Sequence, residues 1–136
     1  MTTHTGGCLC GQVRYAFDAE RVEGGTCYCR DCQRATGSPM TTVTMAATEA
    51  LKITGETRTY SLQSAADRTV TRHFCPICGS QLFTDAEMAP GARFIKCATL
   101  DNPSAASIQA NYWLSAAPDW APVDRSLTCF DENPSG

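Results

Sequence analysis

The chain has 136 residues, nine cysteines and a net charge of −3, with 43% hydrophobic and 18% charged residues. One domain of this length buries roughly two thirds of its unfolded surface, so the cysteines are not compensating for a missing core, and nothing in the composition reads as disorder. The acidic balance excludes the basic face that nucleic-acid binding needs, and no apolar run approaches the roughly 20 residues of a membrane helix.

The first residues, MTTHTGGCLCG, show neither a basic n-region nor an apolar h-region, and His4 reads as part of a disordered terminus. The expectation is a cytoplasmic protein. In that reducing compartment clustered thiols point to metal or redox chemistry before disulfides, and an odd total fits poorly with full pairing. Residues 12–17 (QVRYAF) alternate, with Val13, Tyr15 and Phe17 on one face, which predicts a strand. Residues 30–36 (RDCQRAT) form the one helical stretch, and Gly37 is placed to end it as a left-handed cap. Further strands are predicted at 40–45, then at 51–53 and 56–61 around a Thr54-Gly55 turn, and at 69–74, 80–84 and 93–98. Arg58, Arg68, Arg72 and His73 read as solvated charges on an exposed strand or loop. Pro118, Pro122 and Pro134 predict an irregular tail laid over the body. The fold class is therefore mainly β.

The cysteines fall into three clusters. Cys75-Pro76-Ile77-Cys78-Gly79 is a zinc knuckle: a strand end, a turn whose N–H groups point back at sulfur, and a glycine suited to a left-handed conformation. A thioredoxin-like CxxC would open a helix, whereas the residues that follow here, GSQLFT, form a strand pattern. A closed site needs four ligands, and Cys8-Leu9-Cys10 supplies the other two if an extended segment turns both thiols to one face. Joining these clusters closes a loop of more than about 60 residues, which constrains the unfolded chain by about 4 kcal/mol. It also ties the N-terminus to mid-chain, so a single domain over residues 1–136 is expected.

Cys27, Cys29 and Cys32 offer three thiolates within six residues. Three ligands leave a tetrahedral zinc one open position, as in catalytic sites; a fourth ligand from Cys97, Cys129 or His73 would make the site structural. Cys97 reads as a small buried hydrophobe in the apolar segment RFIKCATL, His73 as a strand-face residue, and Cys129 carries no further signal.

With GGCLCGQVRY, CYCRDCQRATGSPM and FCPICGSQLF in this order, followed by ATLDNP and NYWLSAAPDW, the sequence resembles the family of glutathione-dependent formaldehyde-activating enzymes and centromere protein V over residues 6–130. The resemblance implies a β-tent fold, small coiled sheets around zinc. It implies two zinc ions per chain: a structural one on Cys8, Cys10, Cys75 and Cys78, and a catalytic one on Cys27, Cys29 and Cys32. It also implies a carbon–sulfur lyase that joins formaldehyde to glutathione, giving S-(hydroxymethyl)glutathione, with a small thiol and an aldehyde as its partners. Two positions depart from the family pattern. Tyr28 stands where histidine is usual, and Asn111-Tyr112-Trp113 stands where histidine–isoleucine–tryptophan is usual. Tyrosine, with a pKa near about 10, is poorly matched to a proton shuttle at neutral pH. Arg30, Arg34 and Arg72 are candidate partners for the carboxylates of a glutathione-like substrate. The alternative reading is a non-catalytic zinc-stabilised β module, or a thiol-based sensor of metal or oxidants.

Overall fold

The chain opens with an edge strand, β1 (Thr2–Gly7), which runs antiparallel to β2 (Arg14–Ala19) in a computed structural model that describes residues 1–64 and 67–133. The terminus is thus ordered, contrary to expectation. His4 donates from Nε2 to the Ala19 carbonyl at 3.2 Å and packs on the Phe17 ring at 5.5 Å. Next come β3 (Val22–Cys27), α1 (Arg30–Thr36), β4 (Thr41–Ala47), β5 (Lys52–Thr54) and β6 (Arg58–Gln63). After them lie β7 (Thr69–Phe74), β8 (Gln81–Ala86), β9 (Ala92–Lys96), β10 (Ala106–Tyr112) and β11 (Thr128–Cys129).

The expected mainly-β single domain is what forms, although one sheet is larger than the sequence suggested. Eight strands lie in the order β11-β10-β3-β4-β9-β8-β7-β6, beside a three-stranded sheet β1-β2-β5. Neither sheet closes on itself. β3 pairs in parallel with β10 on one side and antiparallel with β4 on the other, so it sits well inside the sheet. No helix among the described residues is long and apolar enough to cross a membrane.

Alternation in β2 turns Tyr15 and Phe17 inward, where they meet Val13, Leu82, Phe83 and Ile95; these last four have no exposed surface. Tyr15 meets Phe83 edge-on at 5.3 Å, and its hydroxyl bonds Thr99 Oγ1 at 2.8 Å. Each such side chain contributes about 2 kcal/mol through burial. The 98–103 segment ATLDNP also clasps the small sheet. Asp101 takes two bonds from the Arg14 guanidinium and one from Thr5 Oγ1 at 2.6 Å, which holds its carboxyl down at about 2.

α1 begins and ends where the sequence placed it. Cys29 caps its N-terminus, Asp31 and Arg34 complement its dipole, and Gly37 at φ 68° closes it. The tail after residue 113 is largely irregular at Pro118 and Pro122, yet it returns as β11 to cover the edge of β10; Pro134 lies outside the described residues.

The basic stretch on β6 and β7 divides in two. Arg58 and Arg68 are exposed as expected, but Arg72 is buried and His73 is half-buried. Asp85 explains His73: its carboxylate accepts from His73 Nε2 at 2.7 Å and from Arg93 at 2.7 and 2.9 Å. Burial pushes the Asp85 carboxyl up, but Arg93 and His73 outweigh it and leave it below its ordinary value. A lowered carboxylate stabilises the fold above its unfolded pKa, and this contribution fades as pH falls through the folded value. Asp85→Asn should therefore cost about 1 kcal/mol at neutral pH, discounted for partial exposure. In thermal melts, the gap between wild type and variant should close below about pH 4. A gap that persists at acid pH would contradict this account.

Candidate metal centres

Two thiol clusters form. Cys8, Cys10, Cys75 and Cys78 place their sulfurs within 4.8 Å of one another, and Cys27, Cys29 and Cys32 do the same. All nine cysteines are unpaired.

The first cluster joins two turns of one design. Cys75 follows β7, and Gly79 N–H bonds back to the Cys75 carbonyl at 2.9 Å, with Gly79 left-handed at φ 78°. The N–H groups of Ile77 and Cys78 face Cys75 Sγ at 3.4 and 3.5 Å. Cys8-Leu9-Cys10 is not the extended pair that the sequence suggested. It is a second turn, in which Gly11 N–H reaches the Cys8 carbonyl at 3.1 Å, Gly11 is left-handed at φ 82°, and Val13 N–H faces Cys8 Sγ at 3.2 Å. Leu9 and Ile77, the residues within the two turns, are therefore exposed. The Cys8–Cys10 and Cys10–Cys75 sulfurs are 3.7 and 3.8 Å apart. That is too long for a disulfide, but it matches the edge of a zinc–thiolate tetrahedron, about 3.8 Å for bonds of about 2.3 Å. Hydrogen bonds from the Ser80 hydroxyl and amide hold the Cys78 thiol down at about 5. The Gln12 amide lowers Cys10, but burial and the neighbouring thiols outweigh it and push Cys10 to about 11.

The second cluster sits where β3 gives way to α1. Cys27 ends β3, and Cys29 is the helix cap, with its sulfur accepting from Cys32 N–H at 3.3 Å. Cys27 and Cys32 thiols hold Cys29 down at about 2, while the same contacts push Cys27 upward. One thiolate therefore forms readily and opposes the next two. Three thiolates coexist only beside a cation, and a sulfur-only donor set suits zinc.

Among the described residues, no fourth His, Cys, Asp or Glu joins Cys27, Cys29 and Cys32. His73 has both ring nitrogens engaged, by Thr57 and Asp85. Cys97 is buried as expected, in a 3-10 turn after β9, and burial pushes its thiol up. Cys129 lies on the exposed tail, where its sulfur meets the Leu127 carbonyl at 3.3 Å.

The arginine candidates separate. Arg30 and Arg34 are exposed, and Arg30 donates to Gln33 Oε1. Arg72, nearly buried, brings Nη2 to 4.0 Å from Cys32 Sγ. Sequence reasoning missed Lys96, though a lone lysine in the apolar run RFIKCA was a visible signal. Lys96 is buried, donates from Nζ to Thr41 Oγ1 at 2.7 Å, and interacts electrostatically with all three cysteines. Burial pushes its ammonium down, and the Cys32 charge opposes that shift. Lys96 also lines a cleft of about 480 Å³ with Thr36, Thr41, Thr42, Ser80 and Gln81. The cleft therefore runs between the helix that carries Cys32 and the turn that carries Cys78.

Residues 3–116 match the family described as glutathione-dependent formaldehyde-activating enzyme. The chain belongs to this family. No curated protein matches the chain. Among solved structures, a Rhodobacter sphaeroides protein aligns with a TM-score of 0.58 at 20% identity, covering 72% of this chain and 88% of that one. That likeness speaks for the fold alone.

Both departures from the family pattern serve the tail. Tyr28 is buried, and its phenol interacts electrostatically with Arg125, Cys129 and Asp124 and not with the three neighbouring thiols. Burial pushes it above its ordinary value. Asn111 donates to the Asp124 carbonyl at 2.8 Å, Tyr112 stacks on Phe130 at 5.3 Å, and Trp113 donates to Asn133 Oδ1 at 2.8 Å. Trp113 is held left-handed at φ 60°, which costs about 1–2 kcal/mol and is offset by its bonds to the tail. Tyr28→Phe keeps that packing, so any turnover should change by less than about threefold. A much larger loss in kcat would return the hydroxyl to the chemistry.

Proposed function

We propose that the protein is a zinc-dependent carbon–sulfur lyase that adds a small thiol, glutathione or a similar molecule, to a small aldehyde at Cys27, Cys29 and Cys32. The observation that carries this reading is the convergence of three sulfurs with no fourth protein ligand among the described residues. Family membership supports the reaction class. In the same reading Cys8, Cys10, Cys75 and Cys78 hold a second, structural zinc, whose four thiolates leave no position open. The unpaired state of all nine cysteines fits a reducing cytoplasm.

Zinc at the three-cysteine site would lower the pKa of an incoming thiol from about 8.5 and favour its thiolate. With three thiolates already present, the site is a weak Lewis acid, better suited to delivering sulfur than to activating water. The chain's own part is positional. The Cys29 cap and the Gln33 side chain, which bonds the Tyr28 and Ala116 carbonyls at 2.7 and 3.0 Å, fix the turn that carries the cysteines. Hydroxyls of Thr41, Thr42 and Ser80 line the cleft where the rest of the thiol would lie. With formaldehyde, the new bond joins sulfur to the carbonyl carbon. The carbonyl π pair moves to oxygen, which takes the proton given up by the thiol.

NMR of formaldehyde mixed with a panel of low-molecular-weight thiols tests this. Hemithioacetal formation should run above the uncatalysed rate with at least one thiol. No acceleration with any of them would sink the activity and leave the fold intact.

A further inference from the structure

We propose that Lys96 and Arg72 form a paired counter-charge that reserves the open position at Cys27, Cys29 and Cys32 for an anion, which makes them positioning residues for a substrate thiolate. This rests on the reading of that cluster as an open zinc site. Both side chains are only 8% exposed, on β9 and β7. Among the described residues the ion pairs involve Arg14, Arg21, His73 and Arg93, so neither Lys96 nor Arg72 meets a carboxylate. Burying a cation without an anion is costly, and burying two within reach of each other costs more. Arg72 Nη2 lies 4.0 Å from Cys32 Sγ.

The charge count then sets the ligand. Three thiolates and a divalent ion sum to −1, and the two cations bring the assembly to +1. One further negative charge neutralises it, whereas water or a neutral thiol leaves a buried excess. Lys96 lines the cleft as well, and with Thr41 as its only hydrogen-bond partner among the described residues it keeps N–H groups free for an incoming sulfur.

The test uses the full chain loaded with cobalt(II), titrated with 2-mercaptoethanol at several pH values and followed by the increase in sulfur-to-cobalt charge-transfer absorbance above that of the cysteine ligands. This thiol has no carboxylate, so anchoring through one cannot mimic the effect. Lys96→Met and Arg72→Met should each keep cobalt at both clusters yet bind the thiol at least about tenfold more weakly. The pH midpoint of that increase should rise by about one unit. Lys96→Arg, which keeps the charge, should stay within about threefold of wild type. Unchanged affinity and midpoint in both Met variants would overturn the inference and leave the proposed function standing. Loss of cobalt from the three-cysteine cluster in both would overturn it too, because the cations would then serve the cysteines. A wild-type protein with no thiol-dependent increase at any pH would remove the proposed function and the inference together.

Discussion

Cys75→Ala should lower the melting temperature by about 15 °C and remove most of the stabilisation that added zinc gives. Cys75 has no exposed surface, sits in the core cluster beside Cys8, and is 3.8 Å from Cys10. A metal held here links the N-terminal turn to the turn between β7 and β8, across more than about 60 residues. Losing that link returns about 4 kcal/mol of chain entropy to the unfolded state. At a few degrees per kcal/mol for a domain of this size, the shift is the one stated. Circular dichroism melts with and without zinc measure it. A variant that melts within a few degrees of wild type would show that the first cluster does not hold the fold.

Cys27→Ala should behave in the opposite way, leaving a folded protein with turnover reduced at least about a hundredfold. The three sulfurs span one turn of chain at the β3–α1 junction, so closing that loop contributes no more than about 2 kcal/mol. What holds α1 in place is largely independent of the sulfurs. Gln33 bonds Tyr28 and Ala116, Gln81 donates to the Ala35 carbonyl at 2.6 Å, and the Tyr28 N–H reaches Tyr112 O at 3.0 Å. If Cys27→Ala unfolded as readily as Cys75→Ala, the second cluster would be structural and the open-site reading would fail.

How far the sequence announced this arrangement depends on whether the relevant signal was local. β2 carries side-chain alternation, α1 carries its own caps, and the 75–79 knuckle carries its glycine, so each was legible within a few residues. β3 was not. Its sequence VEGGTC has no alternating pattern, yet it runs inside the larger sheet because its glycines permit close approach. A Cβ on Gly24 would lie 2.5 Å from the Val43 carbonyl, and one on Gly25 would lie 2.6 Å from the Tyr112 ring. That reason exists only once β4 and β10 are in place. β11 was equally hidden, because two residues of tail become a strand only through pairing with Ala110 and Asn111.

The same division applies to the sites. Short spacing confines Cys27, Cys29 and Cys32, and each of the pairs Cys8/Cys10 and Cys75/Cys78, whatever the fold does; joining those two pairs followed from the need of a closed site for four ligands. Sequence reasoning misjudged how Cys8 and Cys10 reach a common point, since the turn depends on Gly11 and on Val13 N–H. It also placed Arg72 at the surface, because nothing in TVTRHF says that this face of β7 turns toward α1. Tyr28 was the reverse case. Its identity drew attention to the chemistry, while burial against the tail gives it a packing role.

On this reading the chain holds two unequal metal centres, one closed and fold-bearing, one open and exchangeable. Zinc analysis of the purified protein during titration with a mild chelator, with circular dichroism recorded in parallel, addresses this directly. The account predicts two zinc ions per chain, the first released with no change in secondary structure and the second only as the fold is lost. A single zinc per chain, or two released together with unfolding, would contradict it.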